Sequence, residues 1–209
     1  MGQRLLVIDT ATAACSVALF EDNELIANDY LEIGRGHAEK LVPMIAALPN
    51  LGQADEILVN CGPGSFTGLR IGISVAKALS LAWGADLKGY QCLQLMAAQG
   101  LSITLKPIPV FVCMLAGHGE YFVQNFSETG HAMDELESLG PEAARRKNQS
   151  GLAIGSGKTK LFELAEADDR SQYTFPDAAS AILLKDNQMT SDVVPIYVRE
   201  PDALKSQSL

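Results

Sequence analysis

Hydrophobic positions fall in short clusters from the first residues onward, and their spacing changes along the chain. Arg4 to Thr10 (RLLVIDT) is an apolar, β-branched run closed by an acid, Asp9, and SVALFED follows a turn of small residues. Asp22-Asn23 marks a second turn and ELIANDYLE a third strand, so three strands in hairpin succession open the protein. The spacing then becomes helical. In GHAEKLVPMIAAL, Leu41, Met44, Ile45 and Leu48 fall at i, i+3, i+4 and i+7. Pro43 inside that pattern predicts a late start or a bend. EILVNCGPG is nearly all apolar, as a central parallel strand covered on both faces requires. SFTGLRIGISVAKALSLAWG reads as a long helix, LKGYQC as a fifth strand and LQLMAAQGL as a third helix. The order β-β-β-α-β-α-β-α predicts an antiparallel meander extended by two parallel strands through helical crossovers, a ribonuclease-H-like half.

From Lys106 the pattern partly repeats. IPVFVCMLA and EYFVQNFSE predict a hairpin, AMDELESLGPEAARRK a polar helix, and GLAIGSGKTKLFELAEA a strand, a turn and a helix. PDAASAILLK reads as another helix with proline and acid at its start. VVPIYVRE closes as strand or loop, and the tail ALKSQSL is expected to fray. The expected division is a first lobe over 1–105, rejoined by 194–209, and a second, diverged lobe over 106–193. No low-complexity linker separates them, so close packing is expected.

Composition narrows the function. The chain has 209 residues, 47% hydrophobic, and a net charge of -9. An acidic surface gives no electrostatic help with nucleic-acid backbones, so contact with RNA is expected only through a partner. Cys15, Cys61, Cys92 and Cys113 are widely spaced, with no CxxC pair, which argues against zinc and for buried, reduced thiols. The apolar start is broken by Asp9, unlike a signal peptide, and no run of 18 apolar residues could span a membrane. The expected compartment is the cytoplasm.

GPGSFTGLRIG (Gly62 to Gly72) raises a specific question. Ser65 is a good N-cap, and stepping by four gives Gly64, Gly68, Gly72, Ala76, Ser80 and Gly84, all small. Two glycines inside a helix cost roughly 1 kcal/mol each against alanine, and a close helix–helix approach would offset that. Leu69, Ile71 and Ile73 would flank such a contact. The alternatives are internal packing of the helix on its own sheet and a phosphate loop. The last is weakened because Arg70 is the only nearby cation and Phe66 interrupts the turn.

The glycine motif, together with IDTATAACSVAL at the start, GHAEKLVPMI between and PIYVREPDA near the end, resembles the TsaB (YeaZ) family. The likeness is strong over the N-terminal half, weak from about Ala116 to Val193, and resumes at Pro195. It implies the actin-like ATPase fold of two ribonuclease-H-like lobes. It also implies a non-catalytic partner of the related TsaD subunit, acting in threonylcarbamoyl-adenosine modification of tRNAs that read ANN codons, with a TsaE-type ATPase joining them. The two helices would then form a subunit seam through Leu41, Ile45, Gly64, Phe66, Gly68, Leu69, Gly72, Ile73 and Ala76, also used in a homodimer when the chain is alone. Gly72→Leu is expected to block the seam without unfolding the chain. ATP would enter only at the level of the complex, with no cofactor in the isolated chain.

Catalytic chemistry fits poorly. Catalytic relatives hold a metal through two histidines four apart on the first helix; here His37 is followed at that spacing by Leu41. Asp9 stands where actin-like ATPases keep an acid and a phosphate hairpin, but Thr10-Ala11-Thr12-Ala13-Ala14 lacks the glycine such hairpins want. GSGKT (Gly155 to Thr159) suggests a Walker loop, yet the position needing glycine is Leu152. Asp9, Thr10, Gly155 and Gly157 are the candidate nucleotide contacts. The family's Asp-Ala-Arg stretch is here Leu115-Ala116-Gly117, and Arg145-Arg146-Lys147 reads as a solvated helix end. The competing functions are an ATP-dependent kinase-like or peptidase-like enzyme of the same fold and a homodimeric binding module.

Overall fold

A computed structural model describes residues 2–150, 152–163 and 175–198. Strands β1 (Arg4–Asp9), β2 (Ala14–Glu21) and β3 (Glu24–Glu32) form the expected meander, with Asp9 paired to Ser16 and Cys15 to Leu31. Helix α1 (His37–Ala47) leads to β4 (Glu56–Asn60), which lies parallel to β1. Helix α2 (Phe66–Trp83) leads to β5 (Asp86–Tyr90), parallel to β4. Helix α3 (Cys92–Ser102) closes this half. The strand order β5-β4-β1-β2-β3 is that of a ribonuclease-H-like sheet.

The second sheet is built from β6 (Val110–Gly117), β7 (Glu120–Phe126), β8 (Glu137–Leu139) and β9 (Leu152–Ile154) in the order β8-β7-β6-β9. Short helices α4 (Pro141–Lys147) and α5 (Lys158–Phe162) accompany it. Two sheets with this connectivity give the actin-like ATPase fold.

Several local expectations are corrected. α1 begins at His37 despite Pro43, whose missing N–H costs one interior bond on an exposed flank. The predicted helix over AMDELESLGPEAARRK is instead β8 and the short α4. Pro141 sits at the first helical turn and holds Gly140 extended, so the helix cannot reach back, and Glu137–Leu139 pairs with β7. PDAASAILLK forms a 3-10 turn, Ala178–Leu183, capped by Asp177 Oδ1 accepting from Ala179 N. This turn packs on the first sheet with Ala18, Phe20 and Leu58. Strand β10 (Met189–Thr190) then pairs with β5, ahead of residue 194, where the sequence places the return. The far end of the predicted helix beyond Glu163, and the tail from Arg199, lie outside the described residues.

α3 joins the two halves. Leu93, Met96 and Ala97 share a core with Val110, Val112, Phe126 and Ile154 of the second sheet. Leu95 on its opposite side packs with Val7, Leu58 and Tyr90 of the first. Eight of its residues are buried, so it carries no polar outer stripe.

Candidate functional site

The C-terminal ends of β1, β4 and β5 meet at Asp9. Its Oδ2 accepts from Asn60 Nδ2 (2.6 Å) and from the Tyr90 hydroxyl (2.7 Å), and its Oδ1 accepts from Ala11 N (3.0 Å). Asn60 Oδ1 in turn accepts from Gly62 N (2.7 Å), which anchors the turn into α2. Asp9 is 1% exposed. Burial pushes its carboxyl up to about 6, against the pull of the three donors. The Tyr90 hydroxyl is pushed well above its ordinary value by burial and by the adjacent carboxylate. Sequence reading alone did not single out Asn60 and Tyr90. The available signal was a polar residue, Asn60, closing the apolar run of β4; β5 (DLKGY) gave no comparable signal for Tyr90.

Three internal donors make Asp9 a structural post that ties the ends of β1, β4 and β5 together. Thr10 Oγ1 likewise donates inward, to Gly68 O (2.8 Å). His37 is buried with Nε2 3.2 Å from Ala14 O, which fixes the start of α1. Among the described residues no group of three His, Cys, Asp or Glu is placed to hold a metal ion.

Gly155 and Gly157, the other two candidate nucleotide contacts, lie on the turn between β9 and α5. Gly155 lies against Cys113 O and Gly157 against the Tyr121 ring, closer than any side chain would allow, and Gly157 N donates to Cys113 O (3.0 Å). The two glycines serve close packing of the strand-to-helix turn on β6 and β7. A cleft of about 360 Å³ between the halves is lined by Thr12, Ser65, Met114, Leu115, Phe122 and Ser156 among others, none of them charged. It contains none of the four predicted residues.

The glycine strip is also internal. A Cβ at Gly64, Gly68 or Gly72 would come within 3.0 Å of Ala11 O, Thr10 O and Thr10 Oγ1 respectively. Ser65 caps the helix as expected, accepting from Gly68 N (3.2 Å). The glycines thus let α2 sit directly on the chain segment that follows β1. Leu69, Ile73 and Ala76, with Leu41 and Ile45 of α1, are buried in the same molecule. Of the predicted seam, Phe66 alone stands well exposed, at 42%.

What α1 and α2 do present outward is their other side. Val42 on α1 and Leu81 on α2 are 54% and 87% exposed. Arg70, Ser74, Lys77 and Ala78 share the outer arc of α2. At its N-terminal end the Arg70 guanidinium lies 3.6 Å over the Phe66 ring, and Arg70 Nε donates to the Tyr197 hydroxyl (3.1 Å). Ile196 N donates to Cys61 O (2.7 Å), tying that segment beside the start of α2. Tyr197 belongs to the PIYV stretch, whose contribution to this face no local periodicity announces.

Comparison with known proteins agrees with this architecture. Residues 31–192 match the family described as TsaD, tRNA N6-adenosine threonylcarbamoyltransferase. The chain is 39% identical over 168 residues to the tRNA threonylcarbamoyladenosine biosynthesis protein TsaB of Escherichia coli, covering 74% of this chain and 71% of that one. It is 35% identical over 211 residues to an uncharacterized protein of Mycobacterium tuberculosis, covering 95% and 93%. The solved structure of YeaZ from Pseudomonas aeruginosa superposes with a TM-score of 0.75 at 23% identity, over 93% of this chain and 99% of that one. With its glycine helix, its actin-like fold and these relatives, the chain belongs to the TsaB (YeaZ) family.

Proposed function

We propose that this chain is a non-catalytic subunit in threonylcarbamoyl transfer to adenosine 37 of tRNAs reading ANN codons. It acts by holding a TsaD-type catalytic subunit on the outer face of α1 and α2, with a TsaE-type ATPase joining the assembly. Alone, the same face supports a homodimer. ATP enters with the complex, tRNA meets this chain only indirectly, and the assembly works in the cytoplasm.

The observation that carries this reading is the sealed strand-end site beside an open helical face. The acid at the place where fold relatives bind phosphate is spent on Asn60, Tyr90 and Ala11. Meanwhile Val42, Phe66 and Leu81 stay exposed on adjoining helices, which leaves apolar side chains for a partner to cover. The relatives named for threonylcarbamoyladenosine biosynthesis support the pathway.

The test is reconstitution. ATP, threonine, bicarbonate, unmodified tRNA, a carbamoyl-adenylate synthase, TsaD and TsaE are combined with and without this chain, and modified adenosine is quantified by mass. Product only in its presence supports the subunit role. Equal product either way overturns it. Hydrolysis of ATP by the chain alone would instead favour an enzyme.

A further inference from the structure

We propose that Arg70 determines partner choice on this face: it selects a partner that brings a carboxylate to it and disfavours a second copy of this chain. The inference rests on the docking reading above and adds the chemistry of the occupant.

The charge distribution comes first. The chain carries -9 overall, yet α2, from Phe66 to Trp83, contains Arg70 and Lys77 and no acid. Its outer face is a local positive patch on an acidic molecule. Electrostatic complementarity of that kind sets specificity and encounter rate.

The second observation is that Arg70 is already held. The Phe66 ring lies under its guanidinium, the Tyr197 ring is 5.9 Å away, and the two rings are 5.3 Å apart. Its Nε is used by Tyr197. Its two terminal nitrogens have no acceptor among the described residues. A planar fork pinned by stacking and one hydrogen bond is pre-organised for a carboxylate, because little rotamer freedom remains to be lost on binding.

Position follows from helical geometry. At 100° per residue Arg70 and Leu81 project about 20° apart, separated by about 16 Å along the axis. A surface broad enough to cover exposed Leu81 and Phe66 therefore also covers Arg70. A second copy can pair there but is the poorer match of the two occupants. In a two-fold pairing the facing α2 offers only Arg70 and Lys77, and Glu39 is the sole carboxylate on α1 and α2 together. Self-pairing would bury the guanidinium near like charge, which is costly.

The experiment measures two equilibria for each variant: binding of the TsaD-type subunit by calorimetry at low and high salt, and self-association by analytical ultracentrifugation. Leu81→Asp is expected to abolish partner binding. Arg70→Gln should weaken it about thirtyfold or more and flatten its salt dependence, while self-association stays unchanged or tightens. Arg70→Lys, which keeps charge but not the planar fork, should fall between. If Leu81→Asp and Arg70→Gln both bind as wild type, the docking face itself is wrong. If Leu81→Asp blocks binding but Arg70→Gln stays within twofold, the face stands and the role of Arg70 is overturned. Equal weakening of both equilibria by Arg70→Gln overturns the selectivity. Thermal unfolding of each variant confirms that exposed positions leave the fold intact.

Discussion

Gly68→Ala separates an internal strip from an open one. On an exposed helix face, replacing glycine by alanine stabilises by about 1 kcal/mol. Here the new Cβ would press into the carbonyl oxygen of Thr10, a backbone atom with nowhere to rotate. Relief requires α2 and the segment after β1 to part by roughly an ångström. That strains the Thr10 Oγ1 bond to Gly68 O and loosens Leu69 and Ile73. Overpacking costs about 1–3 kcal/mol and a strained buried hydrogen bond about 1 kcal/mol more. After the propensity gain, the net destabilisation is about 1–3 kcal/mol. At roughly 2–4 °C per kcal/mol for a chain of this size, the melting temperature falls by about 2–12 °C. Urea unfolding followed by circular dichroism measures it, with Ser74→Ala on the outer face as a control near zero. A Gly68→Ala protein as stable as wild type, or more so, refutes the packing argument and returns the strip to the list of open surfaces. The same geometry corrects the expected behaviour of Gly72→Leu: it disrupts the fold through Thr10 Oγ1 rather than blocking a seam.

Asp9 gives a pH signature. Its folded-state value of about 6 lies above the ordinary 3.8. Its contribution to stability is therefore full below about 3.8 and is lost as pH rises through about 6, a change of about 3 kcal/mol. A carboxyl carbon resonance titrating near 6, absent in Asp9→Asn, checks this; a midpoint near 4 contradicts it. Tyr90→Phe removes one donor from that carboxylate and should cost about 1.5–3 kcal/mol at pH 7.5 but less at pH 4.5, read by urea titration at both values. Gly157→Ala should lower thermal stability through the Tyr121 ring; unchanged stability there would contradict the packing assignment. Val42→Asp should leave the melting temperature within about 2 °C while abolishing capture of the TsaD-type subunit, and retained capture would move the interface elsewhere.

The first half of the fold was legible because its signals are local. Alternating and continuous apolar runs, two turns and a capped helix each specify their own element. The helix stripe of Leu41, Met44 and Ile45 named its buried side correctly. The site was less legible because its contacts are between segments distant in sequence. Nothing near Gly68 says that Thr10, 58 residues away, fills the space beside it. Small residues at helical spacing declare only that something comes close, and a neighbouring strand end satisfies that as well as a second helix does. The Asp9 network joins residues 51 and 81 apart. In the second half, short strands and Pro141 left too little periodic length for the pattern to distinguish strand from helix.

The burial of α3 on both sides has a mechanical consequence. In this chain, Leu95 is locked into one sheet's core while Leu93, Met96 and Ala97 are locked into the other's. Any swing of one half against the other must shear one of those close-packed layers, and such layers resist gradual deformation. A strain applied to either half is therefore passed through α3 to the other, so the two sheets respond to load as one body.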